Sequence, residues 1–248
     1  MRRRKSGKLR YFLIAAALIL ALVVIIRLIL PEPVDEHAGQ VYIDDGFNLV
    51  WMTPWANVPV NPLRAEDFRL SGGFPVYIGK DYDTGIGIDL SEHQWEVDWQ
   101  TASGAIDFAW IRLGYRGYTE GGLFLDPWYE NNMSGAEAAG LDTGVYFFSQ
   151  AINVGEAIQE AEFVLDHLRG YRVSLPVIFD WEPVEDEAAR TNGLSESIMT
   201  DCAIAFCRTV ENAGYDAGIY FNRRLGYYGF DLSRLTDYTF WVSVPGDY

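Results

Sequence analysis

Asp180 and Glu182 are the residues of this chain whose types and spacing most clearly suggest chemistry. They stand at the end of the apolar segment 175–181, which reads as a buried strand. Because side chains alternate along a strand, both carboxyls point to the same side, with backbones about 6.6 Å apart. Neighbouring carboxyls push their pKa values apart, so that one holds a proton while the other stays ionised. The pair therefore indicates general acid–base chemistry.

Asp89 ends an earlier segment of the same kind. If the two segments are parallel strands, their carboxyl ends share one face and three carboxyls converge on a cleft. A protonated acid beside an ionised carboxylate suits hydrolysis of a glycosidic bond. A hard cation is the alternative use of three carboxyls, but the sequence contains no loop of calcium-binding type. We therefore predict neither a metal nor a cofactor.

The elements that must position these acids begin at residue 85, where strands alternate with helices. The predicted strands are 85–90, 106–114, 143–148, 175–181, 217–221 and 238–244, and the predicted helices are 126–139, 154–168 and 195–213. This alternation implies parallel strands with crossover helices, either in a doubly wound sheet or in a (β/α) barrel. Acids clustered at strand ends favour the barrel. Gly140 and Gly214 each follow a helix where a left-handed cap is expected.

The distribution of charge argues against nucleic acid as a partner. The 248 residues carry a formal net charge of −16, yet residues 1–30 contain seven basic residues and no acid. The remaining 12 basic and 35 acidic residues give −23, a charge that nucleic-acid phosphates would repel. An uncharged polymer such as a polysaccharide suits this surface better, as do the 8 Trp and 15 Tyr, because flat aromatic rings stack on sugars.

The N-terminal region reads as a membrane anchor followed by an extension. Residues 11–30 form an apolar run of bilayer-spanning length, and the basic residues 1–10 before it predict a cytoplasmic tail. A cleaved signal peptide is the alternative, but no small-x-small cleavage site follows the run. We therefore expect a single-pass membrane protein whose remaining residues are extracytoplasmic. Residues 31–84 read as a linker and a small β-rich extension, with a hairpin around Asp44-Asp45-Gly46.

From about residue 85 to the end, the chain resembles glycoside hydrolase family 25, the lysozymes that cleave peptidoglycan. Six blocks in the family's order carry the resemblance: Gly87-Ile88-Asp89-Leu90-Ser91; Val97-Asp98-Trp99 with residues 106–112; Asp126, Asn132, Ala136 and residues 139–141 before residues 144–148; residues 175–182 with Asp180-Trp181-Glu182; residues 213–215 with Ile219-Tyr220; and Phe240-Trp241-Val242-Ser243. The resemblance implies an α/β fold, a TIM-like (β/α) barrel over residues 85–248.

The resemblance also implies roles for individual residues. Glu182 would be the general acid, while Asp180 and Asp89 would stabilise the reacting centre, either directly or by orienting the substrate's acetamido group as an internal nucleophile. Tyr146 and Tyr220 would line the substrate cleft. The implied activity is hydrolysis of the β-1,4 bond between N-acetylmuramic acid and N-acetylglucosamine, with peptidoglycan glycan strands as the partner.

The chain departs from the family pattern at two places. Phe147 stands where the family often has histidine after the third-strand tyrosine. The family's last two strands should follow the sixth, so we expect a barrel that lacks them, because residues 245–248 are the last of the sequence. Asp247 is expected to be the fourth acid, which the family places just after the sixth strand and which would contact substrate.

Two other functions remain open at this point. A chitinase-like glycosidase is the nearest alternative, but that class carries a further aspartate two residues before Asp180, where this chain has Ile178. The other is a non-catalytic module that binds or organises the cell wall on the same barrel. The presence of all three acids favours an enzyme over this module.

Overall fold

The computed structural model describes residues 6–29 and 35–244 of the chain. The predictions that fall on residues 1–5, 30–34 and 245–248, including Asp247, lie outside the described residues. The elements are, in chain order, α1 (Ser6–Ile29), β1 (Val41–Asp44), β2 (Leu49–Met52), β3 (Phe68–Ser71), β4 (Phe74–Tyr77), β5 (Gly87–Leu90), α2 (Trp99–Ala102), β6 (Phe108–Arg116), β7 (Leu123–Leu125), α3 (Tyr129–Ala138), β8 (Asp142–Ser149), α4 (Val154–His167), β9 (Val177–Trp181), α5 (Glu196–Asn212), β10 (Ala217–Asn222), α6 (Arg223–Tyr228) and β11 (Thr239–Ser243).

One seven-stranded sheet organises most of these elements. Its order is β11-β10-β9-β8-β6-β5, and every neighbouring pair in this path is parallel. The short β7 pairs antiparallel with β6. Parallel neighbours need crossover connections, which the helices between the strands provide. The alternation of strands and helices predicted from the sequence is therefore present.

The sheet is strongly curled. Trp110 on β6 and Trp241 on β11 stack with ring centroids 5.0 Å apart, although three strands lie between theirs. In a flat sheet, four interstrand steps of about 4.8 Å would separate them by roughly 19 Å. The sheet therefore has a concave face, on which side chains of distant strands meet.

The curled sheet does not form a closed barrel from the strands that the structure describes. A closed barrel requires its first and last strands to pair, but β5 and β11 are the two edges of the sheet and do not pair with each other within residues 35–244. The observed architecture is a curled, open, half-barrel sheet.

Helices cover the convex face of the sheet and form the core with it. Phe179 on β9 packs against Phe206 of α5, and Phe147 on β8 packs against Phe163 of α4. Gly140 and Gly214 have φ angles of 77° and 93°, which confirms the two predicted left-handed caps. Because alternate residues of β9 face the helices, the residues between them point to the concave face.

The region before β5 contains two antiparallel hairpins. One joins β1 to β2 around Asp44-Asp45-Gly46, as the sequence predicts, and the other joins β3 to β4. By its internal contacts the chain divides into two units, Met1–Val41 and Tyr42–Tyr248. The tip of the first hairpin thus belongs to the same unit as the curled sheet.

The predictions of a transmembrane helix over residues 11–30 and of a membrane location are wrong. The apolar run does form a helix, α1, but nowhere in residues 6–29 or 35–244 does a helix combine the length and the apolar character needed to cross a membrane. An apolar run is sufficient to predict a helix, whereas crossing about 30 Å of hydrocarbon is a stricter requirement.

Candidate active site

Five strands of the curled sheet contribute side chains to one cavity at its carboxyl edge. The cavity has a volume of about 300 Å³ and is lined by Asp89, Tyr146, Asp180, Glu182, Tyr220, Trp241 and Ser243. Five of the six site residues predicted from the sequence are among them. The sixth, Asp247, lies outside the described residues.

Asp180 forms the buried floor of this cavity. Only 6% of its surface is exposed, and its Oδ1 atom has no hydrogen-bond partner among the residues that the structure describes. Burial raises the pKa of Asp180 well above its usual range, and the nearby charges of Glu182 and Asp89 raise it further, while Arg112 opposes them. The Asp180 carboxyl is therefore held in an environment that favours its protonated form.

Glu182 is half-buried, immediately after β9. Partial burial raises the pKa of its carboxyl, and the charge of Asp89 adds to the effect. The backbone here is fixed by Gln150, a fully buried side chain whose Nε2 donates to the Glu182 carbonyl oxygen at 2.9 Å. Thr191 in turn donates its hydroxyl to Gln150 Oε1 at 2.9 Å. These bonds hold the start of the loop that carries Glu182.

Asp89 lies at the exposed side of the cavity, on β5. Desolvation raises the pKa of its carboxyl, although the side chain keeps contact with solvent. The chain turns directly after this strand, because Ser91 caps a short turn over residues Glu92–Gln94 through a capping box with Gln94. The strand end that carries Asp89 is therefore fixed by local hydrogen bonds.

Tyr146 and Tyr220 contribute hydroxyls and ring faces. Burial raises the pKa of both phenols, so both remain neutral donors at any physiological pH. Tyr146 also lies close enough to Asp180 for that charge to raise its pKa further. Both rings contact Trp241 edge-on, with centroids 5.9 Å and 5.1 Å from it.

Trp241 and Ser243 belong to the cavity but were not assigned to it from the sequence. They stand two residues apart on β11, the same spacing as Asp180 and Glu182, so both point to the concave face. This alternation is the signal that could have identified them. Trp241 matters most, because its ring contacts β6, β8 and β10 and forms one wall of the cavity.

Arg112 is a third residue whose role the sequence did not reveal. Its guanidinium bonds Asp126 at 2.8 Å and Glu92 at 2.9 Å, and it is the cation that lowers the pKa of Asp180. No sequence spacing links Arg112 to these acids, because they come together only in the folded sheet. Arg112 therefore offsets part of the negative charge of the cavity, although it is not one of the residues that line it.

The arrangement can share protons among three carboxyls. Burial and the neighbouring carboxyl charges raise the pKa values in this set, so its members hold protons more tightly than free carboxyls do. Across residues 6–29 and 35–244, no three histidine, cysteine or acidic side chains form a group that could hold a metal ion. The raised pKa values of these carboxyls suit the exchange of protons with a ligand.

A comparison with known protein families identifies the part of the chain that forms the curled sheet. Residues 88–244, more than half of the chain, match the model of the glycosyl hydrolases family 25. A search of the curated proteins found no match.

Among solved structures, the chain is similar to the spore cortex lytic enzyme SleM of Clostridium perfringens, with 20% identity over 66% of this chain and 55% of that one and a TM-score of 0.55. The chain is 19% identical to the modular autolysin LytC of Streptococcus pneumoniae, solved in complex with a synthetic peptidoglycan ligand, over 71% of this chain and 42% of that one, with a TM-score of 0.58. It is 19% identical to a family 25 glycosyl hydrolase from Bacillus anthracis over 66% of this chain and 72% of that one, with a TM-score of 0.51. The chain spans about half the length of the first two of these proteins. With the match over residues 88–244, the chain belongs to the glycosyl hydrolases family 25.

Proposed function

We propose that this protein is a lysozyme that hydrolyses the β-1,4 bond between N-acetylmuramic acid and N-acetylglucosamine in peptidoglycan. The observation that carries the proposal is the convergence of Asp89, Asp180 and Glu182 in one cavity of a family 25 sheet. LytC, a structural relative, has been solved with a synthetic peptidoglycan ligand. The strongly acidic body of the chain also suits a glycan better than a polyanion.

Glu182 is the general acid in this mechanism. It stands at the half-buried side of the acid set, where a ligand can reach it, and its pKa is raised, so it can carry a proton to the departing glycosidic oxygen. As the bond to that oxygen breaks, positive charge develops at the sugar's anomeric carbon. Transfer of the proton leaves Glu182 ionised and able to take a proton from the incoming water.

Asp180 and Asp89 act on the developing positive charge. Both lie in the same cavity as Glu182, and Asp180 is buried where the local dielectric strengthens its interactions. Burial raises the pKa of Asp180 in the free protein, and the positive charge that develops on the sugar opposes this shift and favours the ionised form. They stabilise the reacting centre directly or by orienting the substrate's acetamido group. Tyr146 and Tyr220 line the cavity beside them and bind the sugar, and Asp247 stays a prediction for a further contact.

The test is to incubate the full chain with purified peptidoglycan and identify the new reducing ends. New N-acetylmuramic acid ends that disappear with Glu182→Gln would support the proposal. Glu185→Gln is the matched control, since Glu185 lies on the same loop but is exposed and lines no part of the cavity. New N-acetylglucosamine ends would instead indicate a glycosidase of chitinase-like specificity, and binding without release would indicate a non-catalytic wall-binding module.

A further inference from the structure

The tip of the first hairpin, residues 44–48, is fixed against the carboxyl edge of the curled sheet. Asp44 pairs with Arg223 at 3.2 Å and Asp45 with Arg224 at 3.1 Å, where α6 begins directly after β10. Asp45 is only 2% exposed, and its other oxygen accepts the backbone N–H groups of Phe47 and Asn48 at 2.9 Å and 2.8 Å. The hairpin tip is therefore a preformed part of this edge.

The tip forms one wall of a trough that continues from the acid cavity. A second cavity of about 220 Å³ lies between residues 44–47 and the end of β10, and Ser243 lines both this cavity and the acid cavity. A third cavity of about 370 Å³ shares Phe47 and Asn222 with the second. It also includes Trp181 and Pro183, the residues on either side of Glu182. The three cavities therefore adjoin one another along the sheet edge.

The walls of the trough are aromatic and carry no net charge. The Arg224 guanidinium lies 5.3 Å from the Phe47 ring centroid and 5.6 Å from that of Tyr228. Phe47 is 75% exposed and Tyr228 46% exposed, so both rings keep accessible surface. The two arginines are already paired with Asp44 and Asp45. An anionic ligand therefore finds no free cation here, whereas the rings offer surface to a neutral one.

The third cavity also contains polar groups beside its rings. It is lined by Thr191 and Asn192, which carry hydrogen-bonding side chains, as well as by Phe47 and Tyr228. Exposed aromatic faces, neutral polar groups and no net charge together fit a pyranose ring, which has apolar faces and hydroxyl or amide groups at its edge.

We propose that the hairpin completes an additional saccharide subsite, in which Phe47 is the stacking surface for a sugar beyond those bound at the acids. The hairpin lies before residue 88, where the family match begins, so this subsite is an addition specific to the region that precedes the family sheet. The occupant is identified as part of the glycan strand because the second cavity shares Ser243 with the cavity that Glu182 lines. In this respect the inference rests on the proposed function.

The test measures binding in a Glu182→Gln background, so that turnover does not consume the ligand. The probes are glycan strands freed of their peptides, a single disaccharide, and intact peptidoglycan. Phe47→Ala is expected to weaken binding of the long peptide-free strands about tenfold, from the lost ring burial and stacking, and to leave the disaccharide unaffected. Phe47→Tyr keeps the ring and should keep the binding.

Leu49→Ala is the matched control, because Leu49 is on the same hairpin, is 64% exposed and lines none of the three cavities. Equal binding by Phe47→Ala and Leu49→Ala would overturn the subsite. A loss confined to peptide-bearing material would overturn it too, in favour of a peptide-binding trough. Thermal unfolding of each variant checks that the protein remains folded.

The two proposals fail in different ways. If the unsubstituted protein releases no reducing ends but still binds long glycan through Phe47, the lysozyme proposal fails and the subsite stands. If it releases N-acetylmuramic acid ends and Phe47→Ala changes nothing, the subsite alone fails.

Discussion

Within the described part of the chain, a buried carboxyl has hydrogen-bond partners for both oxygens on one face of the curled sheet but not on the other. On the helix-covered face, Glu160 of α4 is fully buried and both of its oxygens are bonded, one to Arg116 Nε at 2.6 Å and the other to the Ser149 hydroxyl at 2.6 Å. On the concave face, Asp180 is nearly as buried, yet one oxygen lacks a partner among residues 35–244 and two further carboxyls lie nearby. The hydrogen-bonding capacity of Glu160 is therefore met, whereas that of Asp180 is not met by the residues that the structure describes.

This difference separates stabilising from functional residues. A buried charge without partners lowers stability, so a protein retains one only where another requirement outweighs the loss. The Glu160 cluster joins β6, β8 and α4 and stabilises the fold. The Asp180 cluster brings together acids of β5 and β9, and burial, with the repulsion of neighbouring carboxyls added to it, raises the pKa values of Asp180 and Glu182, as the proposed acid catalysis requires.

The largest effect is expected from Asp180→Asn on activity. The substitution keeps the shape of the side chain but removes the ionisable oxygen through which we propose that Asp180 stabilises the reacting centre, so the rate of reducing-end release should fall by roughly 10²- to 10³-fold. The measurement is the initial rate on purified peptidoglycan, with the binding of peptide-free glycan measured in parallel. A rate within threefold of the unsubstituted protein would show that the concave face does not depend on this acid.

Glu160→Gln should have the next largest effect, on stability. It leaves the Arg116 guanidinium buried with a weaker partner, which lowers the free energy of unfolding by about 3 kcal/mol. Denaturant unfolding measures the loss. Glu162→Gln on the same helix is the control, because Glu162 is exposed and a surface substitution should change stability by less than about 0.5 kcal/mol. Equal stability of the two variants would contradict a stabilising role for the Glu160 cluster.

The pH dependence of stability gives a smaller effect, whose direction follows from Asp180. Burial and the charges of Glu182 and Asp89 raise the pKa of Asp180 well above the usual value of 3.8. The folded state then binds the Asp180 proton more tightly than the unfolded state does, so this contribution to stability is complete below pH 3.8 and is lost as the pH rises through the pKa of the folded state. Asp180→Asn should remove this part of the decline, which denaturant unfolding over a pH series measures. A decline of the same size in the variant would assign it to other groups.

The smallest effect concerns backbone strain at the carboxyl edge. Trp95, on the loop after β5, has a φ angle of 59° although it is not glycine, and its side chain is 73% exposed. Trp95→Gly should therefore raise the free energy of unfolding by about 1 kcal/mol, because glycine adopts this conformation without a steric penalty. Trp95→Ala removes the same ring but keeps the strain. If alanine stabilises the protein as much as glycine does, the ring and not the backbone is the cause.

Local features of the fold and site could be predicted from the sequence. The strand alternation that brings Asp180 and Glu182 to one side needs only a period of two residues, and the caps at Gly140 and Gly214 follow from the residue type at a helix end. The alternation of strands and helices likewise depends on short patterns. These features are set by neighbours along the chain, so one sequence is enough to recognise them.

The remaining features depend on contacts between distant residues. Gln150 supports Glu182 across 32 positions, and Arg224 holds Asp45 across 179. Whether a parallel sheet closes depends on the pairing of its first and last strands, which no local pattern encodes. The transmembrane prediction failed for another reason, because an apolar run predicts a helix more reliably than it predicts a membrane span.

The most direct test of the division between the two faces is the unfolding free energy of Asp180→Asn beside that of Glu160→Gln. Since Asp180 is buried without a full set of partners and beside like charges, neutralising it should leave stability unchanged or increased, while Glu160→Gln lowers it. Denaturant unfolding at pH 7 measures both. If Asp180→Asn loses as much stability as Glu160→Gln, both acids are structural, and the concave face is not the functional face described above.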